Sequence, residues 1–325
     1  MTEEEAIGVI KDNKGLIIYF FLILVLGLGC LISFAIKFRS SKKRLVPAWT
    51  ISWFDFGLFI WCLIFCMGLS QIIAPYLLTS ISHTENAYYV WNIIAGGLML
   101  HTGMILIFIL FRYYQPHLFL HSFNIEVISF LKASKLGIYY FLVAFPFVWI
   151  TGLCTIFIFE RLNKAGWTIS LDQQPLVGIF EETKSPIAII ILFIMAILIA
   201  PVAEELIFRA SIYRFLKSRL PIFFSMLLSA ILFSLLHMNI VGFLPLIVIG
   251  ISLCIAYELT GNILVPIIFH SVFNLNSIIP SELSIGIASA YEKDPRLVEA
   301  ILSESKRIVR MEHGVIIVET NHNFI

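Results

Sequence analysis

Charged residues are scarce in this chain: Asp, Glu, Lys and Arg make up 13% of its 325 residues, against roughly 25% in soluble domains. The formal net charge is only +1, so the chain lacks the basic excess typical of nucleic-acid binding. A basic start with a small-residue cleavage site is also missing, and we expect the N-terminus to be retained. The five cysteines all fall in apolar runs, where they are expected to pack without a disulfide or metal role.

Apolar residues dominate instead, at 59% of the sequence with 29 Phe. A membrane core of about 30 Å is crossed by about 20 helical residues, and continuous apolar runs argue against the alternation of a β-barrel. The sequence therefore predicts an all-α, multi-pass bundle of about eight transmembrane helices. The predicted spans are Gly15–Ile36, Ile51–Leu78, Ala87–Phe111, Leu136–Phe159, Ser185–Phe208, Pro221–His237, Ile240–Glu258 and Ile263–Ile279.

The distribution of Lys and Arg predicts the orientation. Five basic residues follow the first span, whereas three glutamates open the chain, so the N-terminus is expected outside. We predict three regions. Residues 1–184 hold four accessory helices, an interfacial segment at Tyr113–Lys135 and a surface loop at Arg161–Lys184; residues 185–280 hold a core of four helices; residues 281–325 form an exposed tail.

Two adjacent glutamates, Glu204 and Glu205, end the apolar run Ser185 to Ala203. Carboxylates at membrane depth are costly and usually mark chemistry or transport. Neighbouring helical residues point in different directions, while Arg209 lies four residues after Glu205 on the same face. We therefore expect Arg209 to neutralise Glu205, which leaves Glu204 facing a cavity as a general base or acid.

Two later helices supply partners for Glu204. A turn near residue 220 makes an antiparallel hairpin in which Glu204 and His237 lie at nearly equal depth, with Phe233 on the same face as His237. The last helix carries His270 and Asn274 four residues apart, one above the other. A carboxylate, two imidazoles and a carboxamide could activate water and hold an oxyanion, which favours hydrolysis.

Other interpretations of these residues stay open. Glu204, Glu205 and Arg209 could lie at the headgroup boundary, and a histidine inside a membrane is often a packed core residue. Glu204, His237 and His270 could also bind Zn²⁺ with an open water position. The remaining polar groups in apolar runs are interpreted as structural for Glu258 and as packing or snorkelling groups for His101 and Asp55.

The three motifs, Glu204-Glu205-x-x-x-Arg209, Phe233-x-x-x-His237 and His270-x-x-x-Asn274, resemble those of the CPBP family. That family includes the CAAX prenyl protease 2 and the bacteriocin-processing or self-immunity membrane proteins (Abi). The similarity covers about Ser185 to Pro280. The family commonly has Gly where this chain has Ala210, which predicts slightly looser helix packing there.

The resemblance implies an intramembrane endopeptidase in a bacterial inner or plasma membrane. Glu204 and His237 would activate water, His270 and Asn274 would stabilise the oxyanion, and Glu205 and Arg209 would form a supporting pair. Because His270 is paired with Asn274 in a donor arrangement, we predict that no metal is obligatory, although Zn²⁺ is possible. The expected partners are a membrane-associated peptide or protein substrate and the lipid bilayer, with no nucleic acid.

Two other functions fit the same residues. A non-catalytic bacteriocin-immunity or peptide-binding protein would keep the pocket without the chemistry. A proton-coupled transporter would use buried Glu and His as a proton relay, but the chain shows neither the inverted repeats nor the broken helix pairs typical of many transporters.

Overall fold

A computed structural model describes residues 14–38, 46–78, 85–114, 128–167, 183, 185–293, 308–312 and 315–319. Within these ranges the chain forms eight helical stretches and one β-hairpin. They are α1 (Lys14–Phe38), α2 (Trp53–Leu78), α3 (Glu85–Tyr114), α4 (Phe130–Lys164), α5 (Pro186–Lys217), α6 (Ile222–Leu236), α7 (Phe243–Thr260), α8 (Leu264–Lys293), β1 (Ile308–Glu312) and β2 (Val315–Glu319). The predicted helical bundle is confirmed.

Six of these helices, α1 to α5 and α7, are long and apolar enough to cross a membrane. The protein is therefore a multi-pass integral membrane protein. The other two apolar helices, α6 and the segment Leu264–Ile278 of α8, are shorter. At a rise of 1.5 Å per residue, the 15 residues of α6 extend about 22 Å, less than the hydrocarbon thickness of roughly 30 Å.

The two predicted connecting segments differ from the structure at their ends. α4 begins at Phe130, because the Ser129 side chain accepts a hydrogen bond from the Lys132 amide and caps the helix. The last part of the predicted interfacial segment is thus the first turn of α4. At its other end α4 continues to Lys164, into the predicted surface loop. Residues 115–127, 168–182 and 184 lie outside the described residues.

Two π-helical segments interrupt α5: π1 (Met195–Ile199) and π2 (Phe208–Tyr213). At the end of π1 the Ala200 amide donates to the Met195 carbonyl, five residues back. Pro201 has no amide hydrogen, so the Ala196 carbonyl receives no bond from the next residue. Asn274 of α8 donates to it instead, with Nδ2 2.8 Å from the Ala196 oxygen. This bond joins α5 to α8 beside Glu204.

Close helix packing surrounds the site. A Cβ at Gly250 of α7 would lie 2.6 Å from the Cβ of Ala230 in α6, so only glycine allows this approach. A Cβ at Gly137 of α4 would lie 2.8 Å from Ile268 of α8. Ala210, where looser packing was predicted, is completely buried in π2.

The segment before α2 is held against the end of α5 by backbone hydrogen bonds. The buried Arg214 donates through Nε to the Pro47 carbonyl at 2.8 Å, and Trp49 donates its amide to the Arg214 carbonyl at 2.8 Å. Lys217 donates to the Val46 carbonyl at 2.6 Å. These contacts place α2 beside the end of α5. The basic residues Arg214 and Lys217 therefore have a structural role in addition to any effect on membrane orientation.

Glu258, at the end of α7, contacts the same end of α5. Its Oε1 accepts from the Tyr213 hydroxyl at 2.7 Å and from the Lys217 ammonium. Glu258 is nearly fully buried and paired with a cation. Its interpretation as a structural residue fits these contacts.

Two compact units make up the chain: residues 27–276, and residues 1–26 together with 277–325. The second unit contains the end of α8 and the antiparallel hairpin, in which Ile308 pairs with Glu319. The predicted tail at 281–325 is thus helical to Lys293 and contains two strands. Its predicted exposure lies outside what the structure describes.

Candidate active site

Glu204 lies in α5 between the two π segments, with 16% of its side chain exposed. Its two carboxylate oxygens face different partners. Oε1 is 3.5 Å from Nε2 of His101 in α3. Oε2 is 4.0 Å from Nε2 of His237 and 3.8 Å from Nε2 of His270. Three imidazoles from three other segments therefore surround this carboxylate.

All three imidazoles are oriented in the same way. Nδ1 of His101 is 2.6 Å from the Gly97 carbonyl, and Nδ1 of His237 is 2.8 Å from the Phe233 carbonyl. Nδ1 of His270 is 2.8 Å from Oε1 of Glu205. Because each Nδ1 faces an acceptor, it carries the ring proton, and the partner residue fixes both tautomer and ring orientation. Each Nε2 is thereby directed toward Glu204.

Glu205 is completely buried and faces Nδ1 of His270, whereas Glu204 faces Nε2 of the same ring. Its Oε1 accepts from Nη1 of Arg209 at 2.8 Å as well as from His270. Arg209, 1% exposed, donates its other terminal nitrogen to the Gly250 carbonyl at 3.3 Å. This pair neutralises a buried carboxylate and fixes the ring of His270 at the same time.

Phe233 is fully buried among the charged and imidazole groups. Its ring centroid lies 4.6 Å from that of His237 and 5.6 Å from that of His270. The Arg209 guanidinium carbon lies 4.5 Å from the Phe233 centroid, within cation–π range. Phe233 thus packs against both histidines and against the guanidinium of Arg209.

A cavity of about 560 Å³ opens beside Glu204. Its polar lining residues are Glu204, His101 and His237, and the rest of the lining is apolar. The apolar residues come from α2, α3, α5 and α6: Ile60, Leu63, Ile64, Met67, Leu100, Met104, Ile207, Phe208, Ile212, Leu232, Leu235 and Leu236. Such a cavity can accept a large apolar group next to a small reactive centre.

The helices that carry Glu204, His237 and His270 are similar in sequence to known proteins. A family model described as Type II CAAX prenyl endopeptidase Rce1-like matches residues 186–276. YdiL of Bacillus subtilis strain 168, named as a candidate membrane peptidase, is 28% identical over 125 residues, which cover 34% of this chain and 51% of YdiL. Residues 186–276 are thus similar to the family of intramembrane proteases that the three motifs resemble.

The C-terminal part of the chain is similar to a different group of proteins. A model described as F420-0:Gamma-glutamyl ligase matches residues 270–325. Coenzyme F420:L-glutamate ligases of Methanothermobacter thermautotrophicus and Methanocaldococcus jannaschii are 46% identical over 55 residues and 43% identical over 54. Each match covers 17% of this chain and 22% of the ligase. The chain thus spans about half of YdiL and about a fifth of each ligase. No solved structure matches the chain.

The matched segment, residues 186–276, includes all seven residues selected from the sequence. Glu204, His237 and His270 come together, Glu205 pairs with Arg209, and Phe233 packs against both histidines. Asn274 directs one amide hydrogen to the Ala196 carbonyl. That leaves one of its two amide hydrogens for an oxyanion, so the donor role predicted for Asn274 remains a prediction.

The residues that could bind zinc are Glu204, His237 and His270. Among the described residues, no group of three His, Cys, Asp or Glu side chains is arranged to hold a metal ion. Zinc bonds to histidine nitrogen and carboxylate oxygen at about 2.0–2.2 Å, which places two ligand atoms of a tetrahedral ion about 3.4 Å apart. The separations from Glu204 Oε2 to His237 Nε2 and His270 Nε2 are slightly longer, at 4.0 and 3.8 Å.

Sequence reasoning interpreted His101 and Asp55 as packing or snorkelling groups. His101 instead faces Glu204 from α3, outside the matched segment. Asp55 belongs to the N-terminal cap of α2, where it accepts from the Ser52 hydroxyl at 2.7 Å while its amide donates back to Ser52 at 3.0 Å. An ionisable residue in a membrane helix is itself a functional signal, which could have identified His101.

Proposed function

We propose that this chain is an intramembrane endopeptidase that hydrolyses peptide bonds of a membrane-associated peptide or protein. The observation that carries the proposal is the position of Glu204 Oε2, 4.0 Å from His237 Nε2 and 3.8 Å from His270 Nε2. These separations exceed direct hydrogen bonds and suit groups that share a water molecule.

In the proposed reaction, a water molecule donates one hydrogen bond to Glu204 Oε2 and the other to His237 Nε2. Glu204 takes the first proton as the water oxygen forms a bond to the peptide carbonyl carbon. The tetrahedral intermediate then collapses, the carbon–nitrogen bond breaks, and the proton on Glu204 passes to the departing amine. The carboxylate is regenerated, so one water is consumed for each bond cleaved.

The oxyanion of that intermediate needs donors, which we assign to His270 and Asn274. Glu205 accepts the Nδ1 proton of His270. As an imidazolium, His270 donates through Nε2, and Glu205 stabilises this state. Asn274 donates with the amide hydrogen that the Ala196 carbonyl does not use. Both donors lie on α8, which the Asn274–Ala196 bond ties to α5.

The apolar cavity supports a substrate with a large apolar group at the cleaved bond. The bond to be cut would lie at Glu204 while the apolar group occupies the space between α2, α3 and α6. A bacterial inner membrane is our proposed location, with the N-terminus outside.

The test compares membrane peptides from cells that carry the native chain, Glu204→Gln or His237→Ala. We expect peptides that accumulate uncleaved in both variants and are cleaved by the native chain. Glu204→Gln preserves shape while it removes the base. Intact cleavage by both variants would refute the proposal. The immunity alternative would show no cleavage difference but preserved toxin protection, and the transporter alternative would show flux in liposomes.

Metal dependence is tested on the same purified chain. We propose that cleavage persists after a strong chelator removes divalent ions, because Glu204 and His237 suffice to activate water. Metal analysis of the purified protein accompanies the assay. Loss of cleavage with the chelator, restored by Zn²⁺ alone, would instead support Glu204, His237 and His270 as zinc ligands.

The similarity of residues 270–325 to ligases supports a separate proposal, that this segment binds coenzyme F420 or its precursor F420-0. It contains the hairpin β1–β2 and matches one ligase at 46% identity over 55 residues. Titration calorimetry of the purified chain with coenzyme F420 and with F420-0 tests this, with a chain ending at Lys293 as the comparison. We expect binding to the full chain alone. Absence of binding to the full chain would overturn the proposal.

A further inference from the structure

We propose that His101 is a positioning residue for Glu204: it is the counter-ion and orienting partner that α3 supplies to the core over residues 186–276. The inference rests on the proposed function, because it acts through the glutamate that would activate water. His101 lies outside the segment that is similar to the family, since α3 precedes residues 186–276. The accessory helices would then complete the site and not only surround it.

The contact between His101 and Glu204 requires a proton. Nδ1 of His101 donates to the Gly97 carbonyl at 2.6 Å. Nε2, 3.5 Å from Glu204 Oε1, can therefore donate only when it carries a second ring proton. When Glu204 is the ionised base, His101 is thus the imidazolium that faces it. The two charges neutralise each other at a depth where an unpaired charge is costly.

No other described residue has this role at Glu204. Arg209 is committed to Glu205 at 2.8 Å and to the Gly250 carbonyl. His237 and His270 face the second oxygen of Glu204 at longer distances. His101 therefore holds Oε1, and this leaves Oε2 directed at His237. The terminal torsion of a glutamate is broad, so without a partner on Oε1 the carboxylate can turn away.

Gly97 of α3 holds His101 in this position. A Cβ at Gly97 would lie 2.8 Å from Met195 Sδ, so glycine allows α3 to approach the start of π1 closely. The same Gly97 supplies the carbonyl that fixes the ring of His101. Of the seven cavity-lining residues from α2 and α3, His101 is the polar one.

The kinetic test uses purified protein in liposomes with a fluorescence-quenched peptide built around the cleavage site found in the membrane-peptide comparison. Loss of an orienting partner typically lowers activity about 10–100-fold. We expect such a loss of kcat for His101→Ala, with KM within about twofold. His101→Gln, whose amide can still donate to Oε1, should recover part of kcat. Thr102→Ala, an exposed neighbour on α3, is the matched control and should resemble the native chain.

A second measurement needs no substrate. Nitrogen NMR of ¹⁵N-histidine-labelled protein reports which ring atoms carry protons. For the native chain we expect His101 to be protonated on both nitrogens, and for Glu204→Gln we expect Nε2 to lose its proton. An unchanged His101 signal in Glu204→Gln would overturn the inference.

The outcomes separate the inference from the proposed function. Full kcat for His101→Ala, together with an inactive Glu204→Gln, overturns the role of His101 and leaves the endopeptidase intact. Cleavage that survives both Glu204→Gln and His237→Ala overturns the proposed function, whatever His101→Ala does. A kcat loss in His101→Ala that His101→Gln does not recover at all would indicate mere packing and would also overturn the positioning role.

Discussion

The buried pair Glu205–Arg209 offers a quantitative test of how this core is stabilised. Both side chains are at most 1% exposed, and their charged atoms meet at 2.8 Å. Replacing Arg209 by Met removes the cation but leaves Glu205 buried with His270 as its remaining hydrogen-bond donor among the described residues. Replacing Glu205 by Leu leaves the Arg209 cation buried and removes the acceptor for His270.

Removal of one member of a buried ion pair typically costs about 3–5 kcal/mol, and we expect each single substitution to fall in that range. Arg209→Met also loses the cation–π contact over Phe233, of about 0.5–2 kcal/mol. The double substitution leaves no unpaired charge. Its cost should therefore be smaller than the sum of the single costs, with a coupling near the upper end of the usual 0.5–3 kcal/mol.

The assay is reversible unfolding in detergent micelles, with the free energy of unfolding measured for the native chain, both single variants and the double variant. Arg161→Met is the matched control, because Arg161 is exposed on α4 and should change stability by less than about 0.5 kcal/mol. Strictly additive single effects would refute the reasoning, since they would mean that the two charges do not depend on each other.

Three further predictions concern packing, a backbone contact and topology. Gly250→Leu should destabilise the fold by roughly 1–3 kcal/mol, measured by thermal unfolding, because its Cβ would overlap Ala230; unchanged stability would contradict the close packing. Asn274→Ala should cost roughly 1–3 kcal/mol in the same assay, since the Ala196 carbonyl loses its partner; a loss of activity alone would contradict this structural role. A reporter fused at the N-terminus should be active only outside the cell, and cytoplasmic activity would reverse the predicted orientation.

The helices could be predicted from the sequence because each is a continuous apolar run, and continuity is independent of how the helices pack. Their ends were less predictable. The cap at Ser129 that starts α4 is a local signal, and it identifies Phe130 as the first helical residue. α6 is short because Pro221 precedes its first residue and a turn at His237 follows its last. The apolar residues continue past both positions, so they do not mark these ends.

The convergence of Glu204 and His237 could be predicted because both lie near equal distances from one turn. His101 could not be predicted in the same way, because its position depends on α3 packing against α5, and no spacing in the sequence encodes that contact. The π segments were also missed. Pro201 was the available signal, since it removes the amide hydrogen that the Ala196 carbonyl would otherwise accept.

Two adjacent glutamates of one helix have opposite environments, and this difference indicates which one can act as a base. Glu205 Oε1 accepts two hydrogen bonds at 2.8 Å from cationic or imidazole donors. The side chain is completely buried and does not line the cavity, so a substrate in the cavity does not reach it. The contacts that Glu204 makes to the surrounding imidazoles are 3.5 Å or longer, and it lines the cavity. A carboxylate must have a free lone pair to take a proton from water. We therefore assign the proposed chemistry to Glu204, while Glu205 orients His270 through the bond to its Nδ1.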